Sequence, residues 1–418
     1  MSSNPQVNAK PSSGAGFAWR LAAFYAALFV ALGVQLPFLP VWLAAQGLDA
    51  GTIGIALAIP QVVRVFSIPF ATRNADRRDA LRGALLIAAA AAALGYGALG
   101  LARGALAIMA AFAFASAFYT PIMPLTDAYA LRGLSPSPAS GAGLRRAGLR
   151  AFGPVRLWGS AAFVAGTFGA GFMLDVIAAR DLIWLIVAAL VATAALAFAL
   201  EPLAPHVAAA MGQSSSARAL LRDRGFLAIV AAASLIQASH AVYYGFSALD
   251  WRSAGFDGMA IAALWATGVV AEIVLFAVSG RLALRPSALL LIGAAGAVIR
   301  WGAMAFDPPV LLLVPLQCLH ALSFGATFLG TLGLMTRTVP PELGATAQGY
   351  LAVALGLVMA AVMGLSGLLY ARWGGLTYGA MALVAAAGGL LAWAARTASS
   401  EGSLLTGRSD TSPRARDP

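Results

Sequence analysis

Long apolar stretches alternate with short polar segments throughout this chain of 418 residues. A helix that crosses the hydrocarbon core of a bilayer needs about 20 apolar residues, so apolar stretches of that length between charges, Pro or Gly predict membrane spans. Twelve spans are predicted, at 17–40, 51–71, 83–102, 106–131, 151–174, 180–200, 225–250, 258–281, 286–306, 309–337, 343–371 and 374–396. The pattern therefore predicts an all-α integral membrane protein.

The composition supports this prediction. Hydrophobic residues make up 61% of the chain and charged residues only 10%, whereas a soluble domain carries about 25% charged residues. This composition excludes a water-soluble enzyme. The single cysteine, Cys318, excludes an intramolecular disulfide framework.

A polar interruption between Glu201 and Arg222 separates six predicted spans from six others. Two six-helix halves are typical of secondary transporters, in which pseudo-symmetric halves enclose a site near the midplane of the membrane and work by alternating access. The predicted organisation is a disordered tail at 1–16, a half at 17–200, a central loop at 201–224, a half at 225–396 and a tail at 397–418.

The basic residues predict the orientation of the chain. With both termini on one side, twenty Arg and Lys residues fall on that side and four, Arg103, Arg180, Arg252 and Arg372, on the other. Because basic residues concentrate in cytoplasmic loops, we expect both termini and the central loop to be cytoplasmic and the protein to reside in the plasma (inner) membrane. The net charge of +11 thus reflects membrane topology, and no nucleic-acid partner is predicted.

A few ionisable side chains fall inside predicted spans, where each is a functional candidate because burying it is costly. They are Arg64, Asp127, Arg156, Glu272 and Arg300, together with His240 and His320. Glu272, Arg300 and His320 lie at similar depth, which favours a polar cavity over a structural ion pair. Asp127 lies where it could pair with Arg156 or Arg64, and such a pair would offset the cost of burial.

Further spans contribute polar and aromatic candidates for substrate contact. Three buried Arg against two carboxylates leave an excess positive charge, which favours an anionic ligand that a guanidinium binds through two hydrogen bonds. Gln35, Phe163, His240 and Tyr243 complete the predicted substrate site with Asp127 and Arg156. Helix packing is the alternative explanation for the aromatic side chains.

The segment between the second and third spans resembles a family motif. Thr72-Arg73-Asn74-Ala75-Asp76-Arg77-Arg78 resembles the Gly-x-x-x-Asp-Arg loop of the major facilitator superfamily, with Thr72 in place of the glycine. The resemblance implies the twelve-helix major facilitator fold and a gating role for Asp76, Arg77 and Arg78.

The first span carries a more specific resemblance. Phe24-Tyr25, Gly33 and the run Pro37-Phe38-Leu39-Pro40-Val41-Trp42-Leu43 resemble the first helix of lactose permease and related oligosaccharide/proton symporters. Other segments are most similar to the 3-phenylpropionate permease branch, namely Arg156-Leu157-Trp158-Gly159-Ser160, Tyr243-Tyr244, Arg300-Trp301, Leu319-His320-Ala321 and Ala347-Gln348-Gly349. The resemblance implies that Asp127, Arg156 and Glu272 contact substrate and that Glu272, Arg300 and His320 couple transport to protons.

The departures from those permeases modify the expectation. Ser323 stands where lactose permease has a carboxylate, Phe163 where it has a tryptophan, and His240 and Tyr243 where it has acidic residues. These differences argue against a β-galactoside substrate. We therefore expect Glu272 to carry the proton and His320 to tune its proton affinity or to act as a relay.

The sequence thus predicts proton-coupled import of a small organic solute, with an aromatic carboxylate such as 3-phenylpropionate as the first candidate, by a protein that functions as a monomer. Symport of a sugar or nucleoside and drug/proton antiport are the alternatives, although Gly153-Pro154 lacks the surrounding glycines of drug exporters. An enzyme is not expected, since the three His and one Cys are scattered and no hydrolase or nucleotide-binding motif occurs. No metal and no cofactor are predicted.

Overall fold

The structure, a computed structural model, describes residues 14–134, 142–203, 217–281, 284–340 and 343–406. Side chains are not described for 14–15, 142–157, 217 and 396–406. Residues 1–13 of the tail predicted at 1–16, 204–216 of the predicted central loop and 407–418 of the last predicted tail therefore lie outside the described residues. Within the described ranges every regular element is helical, which confirms the predicted all-α class.

Seven α-helices form the first part of the chain: α1 Gly14–Ala45, α2 Ala50–Arg77, α3 Leu81–Leu101, α4 Ala105–Tyr119, α5 Ile122–Leu134, α6 Ala142–Val176 and α7 Ile183–Ala199. Nine more follow: α8 Ala217–Leu220, α9 Arg224–Ala238, α10 Ala241–Ser253, α11 Gly258–Ser279, α12 Pro286–Met304, α13 Val310–Cys318, α14 Thr327–Thr338, α15 Gly344–Trp373 and α16 Thr377–Thr406. A π-helix, Ala321–Ala326, joins α13 to α14.

The described part of the chain contains eleven helical stretches that are long and apolar enough to cross a membrane. The last stretch, Gly344–Ala395, has 52 residues and would be about 78 Å long at about 1.5 Å per residue, far more than a hydrocarbon core of about 30 Å. It consists of α15 and α16, which a 3-10 turn at Gly374–Leu376 separates. Counted as two spans, these helices bring the total to the predicted twelve.

Three predicted spans are interrupted, whereas the sequence predicted continuous helices. The fourth comprises α4 and α5, the seventh α9 and α10, and the tenth α13, the π-helix and α14. Pro121 explains the first break, because proline has no N–H to continue the helical ladder, and Pro315 likewise removes a donor from α13. The break at Ser239 and His240 involves neither Pro nor Gly, so the hydrophobic pattern held no signal for it.

The predicted gating loop is shorter than expected. Helix α2 continues through Arg77, so only Arg78 of the three predicted gating residues lies beyond the helix, and Asp76, Arg77 and Arg78 are exposed. Asp79 follows with a φ of 50°, the left-handed conformation that ends many helices. Its Oδ1 accepts a hydrogen bond of 2.5 Å from Arg132 Nη1 on α5. The carboxylate that binds an arginine here is thus Asp79, which the motif did not indicate.

The chain folds into two compact units. The first comprises 1–46 and 66–209, and the second comprises 47–65 and 210–418. In the first unit α1 packs along α6 and α7, and α3 packs against α4 and α7. In the second unit α9 packs between α15 and α16, and α12 packs against α14 and α16. The domain boundaries near 200 and 225 stay predictions.

Helices α1 and α6 approach closely at Gly33. A Cβ atom at Gly33 would lie 2.2 Å from the carbonyl oxygen of Phe163. Thr167 Oγ1 donates to the carbonyl oxygens of Gly33 and Phe163, both at 2.9 Å. The absent side chain therefore permits a backbone contact that a hydroxyl group on α6 reinforces.

We expect Gly33→Ala to destabilise the protein by about 1–3 kcal/mol, because the new methyl group meets a backbone carbonyl that has little room to move. Thermal unfolding in detergent should show a melting temperature lower by several degrees. Gly169→Ala on α6 is the matched control, since nothing lies within 4 Å of a Cβ at that position. Equal melting temperatures for the two variants would contradict this account of the α1–α6 contact.

Candidate functional site

The polar core of the second unit lies where two helix breaks meet α11 and α12. His240 stands between α9 and α10, His320 stands between α13 and the π-helix, and Ser323 belongs to the π-helix. π-Helical turns within helices are frequent at functional sites. We call the following side chains the Arg300 cluster: His240, Tyr243, Glu272, Arg300, Gln317, His320 and Ser323.

Arg300 is fully buried, with 0% of its surface exposed. Its Nη2 donates to Gln317 Oε1 at 2.5 Å, and its Nη1 donates to His320 Nδ1 at 3.0 Å. Nη1 also lies 3.5 Å from Ser323 Oγ, and Nε has no hydrogen-bond partner among the described residues. The hydrogen-bond partners found for this guanidinium are thus neutral, although Arg stays charged in proteins.

Aromatic rings supply much of the stabilisation that this charge needs. The guanidinium carbon lies 4.5 Å from the ring centroid of Tyr243 and 4.4 Å from that of Trp301. A desolvated cation over an aromatic face gains about 2 kcal/mol. Tyr243 in turn stacks on Trp265 at 4.5 Å. The electron-rich faces of these rings therefore take part of the role that a carboxylate plays in an ordinary buried ion pair.

The hydrogen bonds define the tautomer of His320. Because an arginine N–H can only donate, His320 Nδ1 must accept and carries no proton. The proton of the neutral ring is then on Nε2, which lies 3.5 Å from Glu272 Oε2. His320 thus connects the buried cation on one side to the carboxylate on the other.

His240 joins the same cluster through Ser323. Its Nδ1 lies 3.0 Å from the carbonyl oxygen of Gln237, which can only accept, so the proton of the neutral ring is on Nδ1. Its Nε2 then accepts from Ser323 Oγ at 3.1 Å. Ser323 therefore links Arg300 to His240 through hydrogen bonds, and the acceptor role of Nδ1 requires His320 to be neutral.

The arrangement couples a carboxylate to a buried cation through a neutral ring that can exchange protons. Protonation of Glu272 would remove the negative charge next to His320 and change the field at Arg300. Displacement of a neutral partner of Arg300 would expose a desolvated cation to an anionic group, with which a guanidinium forms two strong hydrogen bonds. The cluster therefore has the chemistry for binding an anion and for exchanging a proton.

The candidates of the first unit form contacts of their own. Tyr25 Oη donates to Asp127 Oδ1 at 2.6 Å. The Oε1 atom of Gln35 is buried without a hydrogen-bond partner among the described residues. Phe163 is 6% exposed and its backbone packs on Gly33. The backbone of Arg156 belongs to α6 but its side chain lies outside the described residues, so its predicted pairing with Asp127 stays a prediction.

For three residues of the second unit the structure shows partners that the sequence did not indicate. Ser323 was expected as the place of a lost carboxylate, but it bridges Arg300 and His240. Gln317 is the nearest acceptor for Arg300. Asp250, which the hydropathy pattern placed at a span end, accepts a hydrogen bond from Tyr370 Oη. A hydrophobicity profile shows only that such residues are polar. It does not show which residues on other helices form hydrogen bonds with them.

An all-helical bundle with ionisable side chains buried inside its apolar helices has the architecture of a polytopic membrane transporter. The chain belongs to the MFS_1-like family, whose model matches residues 18–385. The predicted membership of the major facilitator superfamily is thereby confirmed.

Two relatives match most of the chain. It is 35% identical over 377 residues to the "Probable 3-phenylpropionic acid transporter" of Escherichia coli (strain K12), and the matched region covers 87% of this chain and 94% of that protein. It is 29% identical over 374 residues to the "Maltose permease" of Geobacillus stearothermophilus, which covers 86% of this chain and 91% of that protein.

Solved structures share the fold. A nucleoside transporter matches with a TM-score of 0.72 at 16% identity, over 91% of this chain and 98% of that one. A D-xylose-proton symporter matches with a TM-score of 0.71 at 12% identity, over 90% of this chain and 97% of that one. With the family and the relatives, these matches establish a multi-pass secondary transporter of small molecules and not an enzyme. No group of three or more His, Cys, Asp or Glu in the described ranges could hold a metal ion.

We expect Gln317→Ala to lower the melting temperature, because it leaves a buried guanidinium N–H without its acceptor at a cost of about 1–3 kcal/mol. Thermal unfolding in detergent measures the effect. Gln348→Ala removes the same amide from an exposed side chain and should leave the melting temperature nearly unchanged. A stable Gln317→Ala protein would show that Gln317 is not an essential partner of Arg300.

Proposed function

We propose that the protein imports an aromatic carboxylate such as 3-phenylpropionate together with protons, by alternating access. The observation that carries the proposal is the buried Arg300, a cation enclosed by aromatic rings and neutral hydrogen-bond partners. A carboxylate attached to an aromatic ring complements such a site in both charge and apolar character. The 35% identity to a probable 3-phenylpropionic acid transporter supports the same substrate class.

Proton coupling rests on Glu272 and His320. Glu272 Oε2 lies 3.5 Å from His320 Nε2, and His320 Nδ1 accepts from Arg300. Any change in the partners of Arg300 therefore alters the field at His320 and the proton affinity of Glu272. Substrate binding at the cation and protonation of the carboxylate can thus be linked through one imidazole ring.

A proton-coupled sugar symporter is the second candidate. The 29% identity to a maltose permease favours it, and the hydroxyl groups of a sugar could meet the neutral amide and hydroxyl partners of Arg300. A desolvated cation gains more from an anion than from a hydroxyl group, because hydrogen bonds between charged partners are about twice as strong as neutral ones. We therefore place the aromatic carboxylate first.

Ligand binding distinguishes the two candidates. We expect 3-phenylpropionate to raise the melting temperature of the purified protein, since a ligand at about 100 times its dissociation constant stabilises the folded state by about 2.7 kcal/mol. The uncharged 3-phenylpropanol and maltose serve as matched controls for the carboxylate and for the sugar candidate. Stabilisation by maltose and not by 3-phenylpropionate would overturn the choice of substrate.

Glu272→Gln tests the proton coupling. The amide keeps the shape of the side chain but cannot exchange a proton, so accumulation driven by a pH gradient should be abolished while substrate exchange across the membrane persists. Uptake of radiolabelled 3-phenylpropionate into proteoliposomes, with and without a protonophore, measures both activities.

Asp49→Asn is the matched control for the loss of a carboxylate. Asp49 is an exposed side chain outside the spans, where the amide of Thr52 donates to it at 2.9 Å and lowers the pKa of the Asp49 carboxyl. Asparagine also caps helices, so the control should transport normally. Unchanged accumulation by Glu272→Gln would refute its role as proton carrier.

A further inference from the structure

A second carboxylate of the second unit stands at the end of a span and has no part in the coupling through Glu272. Asp250 lies one turn before the end of α10, is partly buried, and accepts a hydrogen bond from Tyr370 Oη on α15. The ring of Tyr370 is held in place by Phe246, which stacks on it at 4.3 Å with an angle of 16° between the planes. The basic-residue pattern predicts that this end of α10 faces outside the cell.

The groups around Asp250 connect it to the Arg300 cluster. Tyr378 on α16 interacts electrostatically with Asp250, Tyr370, Tyr243 and Arg300. Its ring stacks on Trp301 at 5.9 Å. Trp301 and Tyr243 are the two rings that face the Arg300 guanidinium. Tyr378 therefore contacts a ring that lies against the buried cation and is within electrostatic range of Asp250.

Two hydroxyl groups in this region lack a hydrogen-bond partner among the described residues. They are Thr377 Oγ1 and Tyr378 Oη, on side chains that are 0% and 2% exposed. A buried hydroxyl group without a protein partner is costly and normally binds water or a ligand group. These two hydroxyl groups, at the start of α16, thus offer hydrogen-bonding capacity beside the ring that stacks on Trp301.

The titratable groups that act on Asp250 come from three elements. Tyr370 on α15 donates to it, Asp307 in the turn after α12 adds a like charge, and Tyr378 on α16 lies nearby. Helix α11, which also packs on α10, carries Asp257 as its N-cap and Glu272 within the helix, and Arg252 stands two residues after Asp250 on α10 itself. No cation among the described residues forms an ion pair with the Asp250 carboxylate. The ionised form of Asp250 is therefore not stabilised by an ion pair, and the side chain can take up a proton without breaking one.

We propose that Asp250 is a second proton-exchanging residue of the transporter, which takes up protons at the outer end of α10 and communicates with the Arg300 cluster through Tyr370 and Tyr378. Protonation adds one proton from external water to the carboxylate and converts it to the neutral acid. Its release returns that proton to water or passes it along the hydroxyl groups towards Glu272. This inference rests on the proposed proton coupling. It assigns a role in proton exchange to Asp250, which is not one of the residues predicted to contact the substrate.

Infrared spectroscopy tests the proton exchange without any substrate. A pH titration of the full-length protein in lipid should show a carboxylic-acid C=O band that is present in the wild type and absent in Asp250→Asn. Asp257→Asn is the matched control, because Asp257 is an exposed carboxylate that caps the next helix, α11, and asparagine preserves the cap. A titrating band that persists unchanged in Asp250→Asn would overturn the proposal.

Transport tests the coupling. A pH gradient of one unit supplies about 1.36 kcal/mol per proton, or about tenfold accumulation for one proton per substrate. We expect Asp250→Asn to lose most of this accumulation of 3-phenylpropionate, and its stimulation by external acid, while exchange without a gradient persists. A purely structural hydrogen bond predicts the reverse, because asparagine can still accept from Tyr370. Unchanged stimulation by external acid would therefore overturn the proposal.

Two further experiments separate the proton exchange at Asp250 from the proposed transport of 3-phenylpropionate. If Asp250→Asn does not fold, Tyr370→Phe takes its place, since it removes the donor to Asp250 and should shift the pH at which the C=O band titrates. An unshifted band in a folded Tyr370→Phe protein would count against Asp250. If the wild type transports no 3-phenylpropionate under a pH gradient, the proposed function fails, and the infrared titration alone decides the proton exchange at Asp250.

Discussion

The second unit is organised around one physical constraint, a guanidinium that is fully buried and whose hydrogen-bond partners are neutral. An isolated charge in a medium of low dielectric constant is costly, so the helices must bring acceptors and aromatic faces to it from several directions. Gln317 and His320 do so from the segment around the break after α13, and Tyr243 does so from α10. Several of the polar atoms that contact Arg300 thus belong to residues at the interruption between α13 and α14.

This constraint also explains the state of the two histidines. A protonated imidazole next to Arg300 would place two positive charges side by side, and the donor geometry requires the facing nitrogen of His320 to accept. In the neutral form of His240 the nitrogen facing the backbone carbonyl group donates and the one facing Ser323 accepts. Both rings can therefore transmit changes in hydrogen bonding while the only full charges in the cluster are those of Arg300 and Glu272.

The sequence predicted the features that depend on periodicity and composition. Apolar runs gave the number of spans, and the rarity of charge inside them singled out Glu272, Arg300 and His320, which the structure places in one connected cluster. It failed where the outcome depends on contacts between distant segments. The break at His240 contains no Pro or Gly that would have predicted it. Asp79, and not Asp76 of the motif, binds Arg132. Asp250 accepts a hydrogen bond from Tyr370, which lies 120 positions further along the chain. Which residue on another helix becomes the partner depends on how the helices pack together. The pattern of residues within one helix does not contain that information.

Ser323 shows what the departure from the related permeases changes physically. A carboxylate at this position would neutralise Arg300 directly and would itself be the natural proton carrier. The hydroxyl group instead lies 3.5 Å from the arginine Nη1 and donates to His240, so it relays a hydrogen bond without adding a charge. The charge that balances Arg300 must then come from Glu272 on the far side of His320 or from an anionic ligand. A transporter whose cation lacks a resident carboxylate is thereby suited to substrates that bring their own.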